Sequence, residues 1–75
     1  MQIGLKLDYN THSENKNWKI EYSTIDSTDK IQLPNIHLND IGDEITLDVA
    51  DNWNRFYITP IDEEFSHATF TSGSI

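Results

Sequence analysis

Residues 2–9, QIGLKLDY, alternate without a break: Ile3, Leu5, Leu7 and Tyr9 fall on one side, and Gln2, Gly4, Lys6 and Asp8 on the other. A period of two is the repeat of an extended strand with one dry and one wet face, whereas a helix with this pattern would scatter its apolar residues around its axis. The pattern returns in WKIEYSTI, residues 18–25, where Trp18, Ile20 and Tyr22 oppose Lys19, Glu21 and Ser23. Two such segments in so short a chain point to β structure. The polar run between them, NTHSENKN at residues 10–17, predicts that they pair as a hairpin with a long loop.

Further strands follow by the same logic. In IQLPNIHL, residues 31–38, Ile31 and Leu33 share one parity and Ile36 and Leu38 the other, with Pro34 at the break. A proline cannot donate to a ladder and a bulge inserts one residue, so this segment reads as an edge strand with a slip. NDIGDE is a turn in which Gly42 is free to take a positive φ. ITLDVA turns Ile45, Leu47 and Val49 inward and Thr46, Asp48 and Ala50 outward. Asp51 and Asn52 read as a tight turn, with WNRFYIT as the returning strand. Thr59, Pro60 and the acids at 62–64 have the order of a helix cap and first turn, which predicts one helical turn near residues 60–66. HATFTS reads as a last strand.

Five to six short strands in residues 1–75 predict a mainly β, single-domain antiparallel barrel or sandwich. A chain of 75 residues buries only about 60–65% of the surface it exposes when unfolded, and its core supplies about 3–5 kcal/mol. With no cysteine, no disulfide or thiolate metal site can add to that. Self-association into a homo-oligomer is compatible with so small a core. The opening MQIGLKLDYN lacks the pattern of a secretory signal and no stretch is long and apolar enough to span a bilayer, so we expect a soluble, cytoplasmic protein with no membrane partner.

The net charge of −8 is unevenly placed. Residues 1–38 hold five acids against four lysines, and residues 39–75 hold eight acids against Arg55 alone, leaving −1 and −7. Direct binding to nucleic acid is not expected, because phosphate contacts need clustered Lys and Arg. The densest acidic stretch is NDIGDEITLDVADN, residues 39–52, with Asp40, Asp43, Glu44, Asp48 and Asp51. Read as a calcium loop from Asp40, it places Ile45 where an EF-hand needs glycine and Asp51 where it needs glutamate, with strands as neighbours. The loop pattern fails. His12, His37 and His67 have no partner at zinc-ligand spacing, and no nucleophile elbow, Cys/His pair or phosphate-binding glycine loop is present. We therefore expect neither a metal, nor a cofactor, nor an enzyme.

Each acid has an ordinary local reason, as a turn former or an outward strand residue, but the absence of accompanying bases does not. Natural surfaces mix both signs, and a face of one sign attracts and steers a partner of the other. A second acidic group, Asp62, Glu63 and Glu64, extends the imbalance. Aromatic anchors lie nearby, since DNWNRFY places Trp53 and Tyr57 on one strand with Arg55 between them, and these residue types dominate interface hot spots. The leading expectation is a non-catalytic acidic protein that docks on a basic surface of a larger protein, as a nucleic-acid-mimicking inhibitor would. Its partner-binding residues would be Asp40, Asp43, Glu44, Asp48, Asp51, Trp53, Arg55, Tyr57, Asp62, Glu63 and Glu64. Two other readings are a carbohydrate- or ligand-binding module using Trp53, Tyr57, Asn52 and Asn54, and a structural subunit that assembles through the edge strand at 31–38.

Overall fold

A computed structural model describes residues 1–75, and all of its regular structure is β. The strands are β1 (Gln2–Asn10), β2 (Asn17–Thr24), β3 (Ile31–Gln32), β4 (Ile36–His37), β5 (Glu44–Asp48), β6 (Trp53–Pro60) and β7 (Ala68–Ser74). They form two antiparallel sheets: the first runs β5-β1-β7, and in the second β2 pairs with β6 on one side and with β3 and β4 along the other. The two strands with the cleanest alternation, β1 and β2, are therefore the centres of the two sheets. Their dry faces meet. Ile3, Leu5 and Leu7 of β1 and Trp18, Ile20 and Tyr22 of β2 are all buried, joined by Ile36, Leu38, Leu47 and Val49 in one cluster.

The β1–β2 hairpin expected from the sequence does not form, because these strands lie in different sheets. A strand with one apolar face can bury it face to face with another strand as well as beside one, and sheets pack about 10 Å apart. The polar connection of residues 11–16 spans that gap. The turn at Asp51 and Asn52 is present, closed by the Trp53 amide on the Ala50 carbonyl at 3.0 Å, but it too leads from one sheet to the other, since β5 pairs with β1 and β6 with β2. The Ala50 amide donates to the Tyr22 hydroxyl at 3.2 Å, which pins this arch across the core.

The expected slip at Pro34 is real. Leu33 still donates to the Ile20 carbonyl at 3.0 Å, in step with Tyr22 opposite Ile31, whereas Trp18 is opposite Ile36, one residue out of step. The extra residue splits the edge into β3 and β4 and turns Ile36 and Leu38 into the core. No helical turn forms at residues 60–66. The segment is a folded connection closed by Ser66 N–H on the Glu63 carbonyl, because Asp62 and Asn15 use their side chains to tie it to the β1–β2 loop, as described below.

Candidate functional site

β5 is an edge strand, with β1 on one side and no strand on the other. Its alternation buries Leu47, half-buries Ile45 and leaves Glu44, Thr46 and Asp48 exposed on the outer face, level with Lys6, Gly4 and Gln2 of β1. Glu44 and Asp48 therefore share a face about 13 Å apart, at 3.3 Å per residue. Neither has an ion-pair partner, for Lys6 lies 3.9 Å from Asp8 instead. Asp40 and Asp51 sit exposed in the turns at the two ends of β5. Asp51 is 3.4 Å from the terminal ammonium.

Asp43 and Asp62 are committed to the fold. Asp43 Oδ2 accepts the Asn39 and Asp40 amides at 3.1 and 3.0 Å, and Gly42 at φ 96° completes the turn by donating to the Leu7 carbonyl at 2.7 Å. Asp62 Oδ2 accepts the backbone amides of Lys16 and Asn17, both at 2.9 Å, and the Asn17 side-chain amide donates to the same carboxylate. Its carboxyl is held below its ordinary value, chiefly by the Lys16 amide; partial desolvation opposes this, while both amides of Asn17 and the charge of His37 add to it. From the other side, buried Asn15 accepts the Asp62 and Glu63 amides through Oδ1 at 3.0 and 3.1 Å. His37 is tied between the Asn17 and Asn39 side-chain oxygens at 2.8 and 3.1 Å.

These contacts gather residues 10–17, 37–43 and 61–67 at one end of the sandwich, where Lys16 Nζ also donates to the Asn39 carbonyl. Asp40, Asp43 and Glu44 belong to that end, near Asp62 and Glu63, while Asp48 and Asp51 belong to the other. Asp40, Glu44, Asp48 and Asp51 thus follow β5 from end to end, whereas Asp62 is turned onto the Lys16 and Asn17 amides and Glu64 lies beside the opposite edge, at β6 and β7. No group of three His, Cys, Asp or Glu side chains is placed to hold a metal ion.

The aromatic part of the expected site comes apart. A bulge at Asn54 puts Trp53 opposite Thr24 while Arg55 stays opposite Ser23, so Trp53 turns inward and stacks on Phe56 at 4.9 Å between ring centres. Tyr57 faces outward on the opposite side of the strand, beneath Lys30 Nζ at 4.3 Å from its ring. Trp53 and Tyr57 therefore cannot form one platform, and Arg55 is on the outer face with Tyr57.

Sequence reasoning missed a groove of about 520 Å³ between β6 and β7, the facing edges of the two sheets. Trp18, Phe56, Ile58, Pro60, Ala68 and Phe70 line it, with Glu64, Ser66 and His67 at its rim. The sequence left the inward face of β6 open between Phe56 with Ile58 and Trp53 with Tyr57, and carried no sign that the sheets stay apart between β6 and β7. No family model, curated protein or solved structure matches this chain.

Proposed function

We propose that this is a non-catalytic binding protein that docks its acidic β5 edge on a basic surface of a larger protein, in the manner of a nucleic-acid mimic that occupies a phosphate-binding groove. The observation that carries the reading is the placement of Glu44 and Asp48 on one outer strand face, with Asp40 and Asp51 at its two ends and no Lys or Arg paired with any of them. Unpaired carboxylates on a rigid strand keep their charge available to a partner and speed its approach. Asp43, Asp62 and Trp53 act indirectly, by shaping the turns and the core behind that edge. The test is affinity capture from source lysate with wild-type protein and with a Glu44→Lys/Asp48→Lys variant. A nucleic-acid-binding protein held by the wild type alone, released by raised salt and displaced by duplex DNA, is the expected result. Capture that is equal for both proteins and indifferent to salt would refute the reading.

The ligand-binding alternative is favoured by one observation, the apolar groove between β6 and β7. Trp18 lines it, so an apolar ligand there would shift tryptophan emission, and a Phe70→Ser variant would lose that response.

A further inference from the structure

The two outer faces of the sandwich carry unpaired charge of opposite sign. On the first sheet Lys6 is matched to Asp8, leaving Glu44 and Asp48 free. On the second sheet Lys19 is matched to Glu21 at 3.7 Å, leaving Lys30, poised over Tyr57, and Arg55, which makes neither an ion pair nor a side-chain hydrogen bond. Asp26 and Asp29 in the adjoining turn form no ion pair with either of them. Asp26 instead accepts hydrogen bonds from Thr24 and Asn52, at 3.2 and 3.4 Å. A chain with 13 acids and five basic side chains has carboxylates to spare, yet it leaves two cations uncovered on one face.

The faces also differ in relief. Across the first sheet Thr46, Gly4 and Gly73 stand in one row, between the row of Glu44, Lys6 and Thr71 and the row of Asp48, Gln2 and Ile75, with the Ile75 side chain leaning over Gly4 and Gly73 left open. This makes a shallow trough. A Cβ on Gly73 would meet nothing within 4 Å, and one on Gly4 would meet the Ile75 side chain at an ordinary 3.7 Å, so internal packing demands glycine at neither position. Glycine inside a strand often marks a place where another molecule comes close. On the second sheet no glycine interrupts the outer face, and the half-buried Tyr57 ring is covered by Lys30 Nζ.

We propose that the protein stacks head to tail on copies of itself, the Lys30–Tyr57–Arg55 face of one molecule resting on the Glu44–Asp48 face and glycine trough of the next. The two surfaces differ and lie on opposite sides of the sandwich, so the contact is heterologous and propagates into a rod or closes as a ring. This inference does not rest on docking to a basic protein, although such a protein would compete for the acidic face. Each copy carries −8, so stacking needs enough salt to screen that repulsion, about 0.15 M with a Debye length near 8 Å, and fails near 1 M, where contact pairs are screened too.

The test is sedimentation velocity at about 0.15 M salt over protein concentrations up to about 1 mM. Wild-type protein should grow in mass with concentration. The neutralised variants Glu44→Gln/Asp48→Asn and Lys30→Gln/Arg55→Gln should each remain monomeric, and their equimolar mixture should give a one-to-one dimer and nothing larger, because one charged face of each kind survives and neither neutralised face attracts the other. Both variants stay net negative, so bulk attraction cannot produce that dimer. Gly73→Val, which fills the trough without touching the core, should also lower the mass while preserving the circular dichroism spectrum. A wild type that stays monomeric throughout, a double variant that assembles like the wild type, or a mixture that stays monomeric would each overturn the proposal. Each of these outcomes would leave the reading of the β5 edge standing.

Discussion

Tyr22→Phe tests the arch that carries the chain from β5 to β6. Tyr22 is 6% exposed, its ring lies edge-on to Phe56 at 6.3 Å, and its hydroxyl accepts the Ala50 amide at 3.2 Å. Phenylalanine keeps the ring, its burial and its contact with Phe56, and removes only the acceptor. The Ala50 N–H is then left partly buried without a partner, which costs about 1–2 kcal/mol. In a domain of this size that lowers Tm by about 5–15 °C, and it removes a large part of the few kcal/mol such a core supplies. Urea unfolding followed by tryptophan fluorescence reads the change, and the m-value should stay constant because the buried surface is unchanged. If β5 and β6 instead paired as a hairpin, the Ala50 amide would be at a solvated turn and the substitution would be nearly neutral. A loss below about 0.5 kcal/mol would therefore refute the cross-core bond and the arch it defines.

Asp62 makes stability depend on acid. Its folded-state pKa is lowered from 3.8, so its contribution is fully present above that value and is lost as pH falls through the lower folded value. Asp62→Asn should flatten the fall of the urea midpoint below pH 4 relative to wild type; parallel profiles would show that the carboxylate does not clamp the Lys16 and Asn17 amides. The glycines make an opposed pair. Gly42→Ala places a Cβ at φ 96° and should cost about 1–2 kcal/mol, whereas Gly73→Ala has open space and no positive φ and should raise stability by about 0.5–1 kcal/mol. Thermal melts of the two variants should move in opposite directions.

The alternation of QIGLKLDY and WKIEYSTI was enough to place a core, and Ile3, Leu5, Leu7, Trp18, Ile20 and Tyr22 are where their parity puts them, whereas Tyr9, beyond a register shift after Leu7, is exposed. Parity says which side of a strand is dry, but not whether it meets its neighbour edge to edge or face to face. The β1–β2 and β5–β6 connections were misread for that reason. The bulge at Asn54 was illegible because a single inserted residue reverses every side chain beyond it while leaving composition and spacing unchanged. That one residue separated Trp53 from Tyr57 and dissolved the aromatic platform. The helical turn at 60–66 failed differently. A cap, a proline and three acids have the right local order, but Asp62 finds two backbone amides outside its own segment, and buried Asn15 takes the amides that a helix would have left free.

The acids of residues 39–52 divide by what each carboxylate touches. Asp43 belongs to its own turn, and charge at Glu44 and Asp48 has a structural use as well, because an uncovered strand edge invites pairing with another chain and exposed charge discourages it. That protection explains why the β5 edge is charged, but not why it is charged with one sign. Lysine serves an edge equally well, and an alternation of both signs would protect β5 without raising a potential. On the second sheet the side chains left without an ion pair are instead Lys30 and Arg55, so the unpaired strand-face charges differ in sign between the two faces although each face also holds an internal Lys–carboxylate pair. Edge protection acts along the strand, in the plane of the sheet, whereas this difference acts across the thickness of the sandwich. A partner that meets the faces would use this difference, and the equimolar mixture of face variants distinguishes a second copy of this chain from any other.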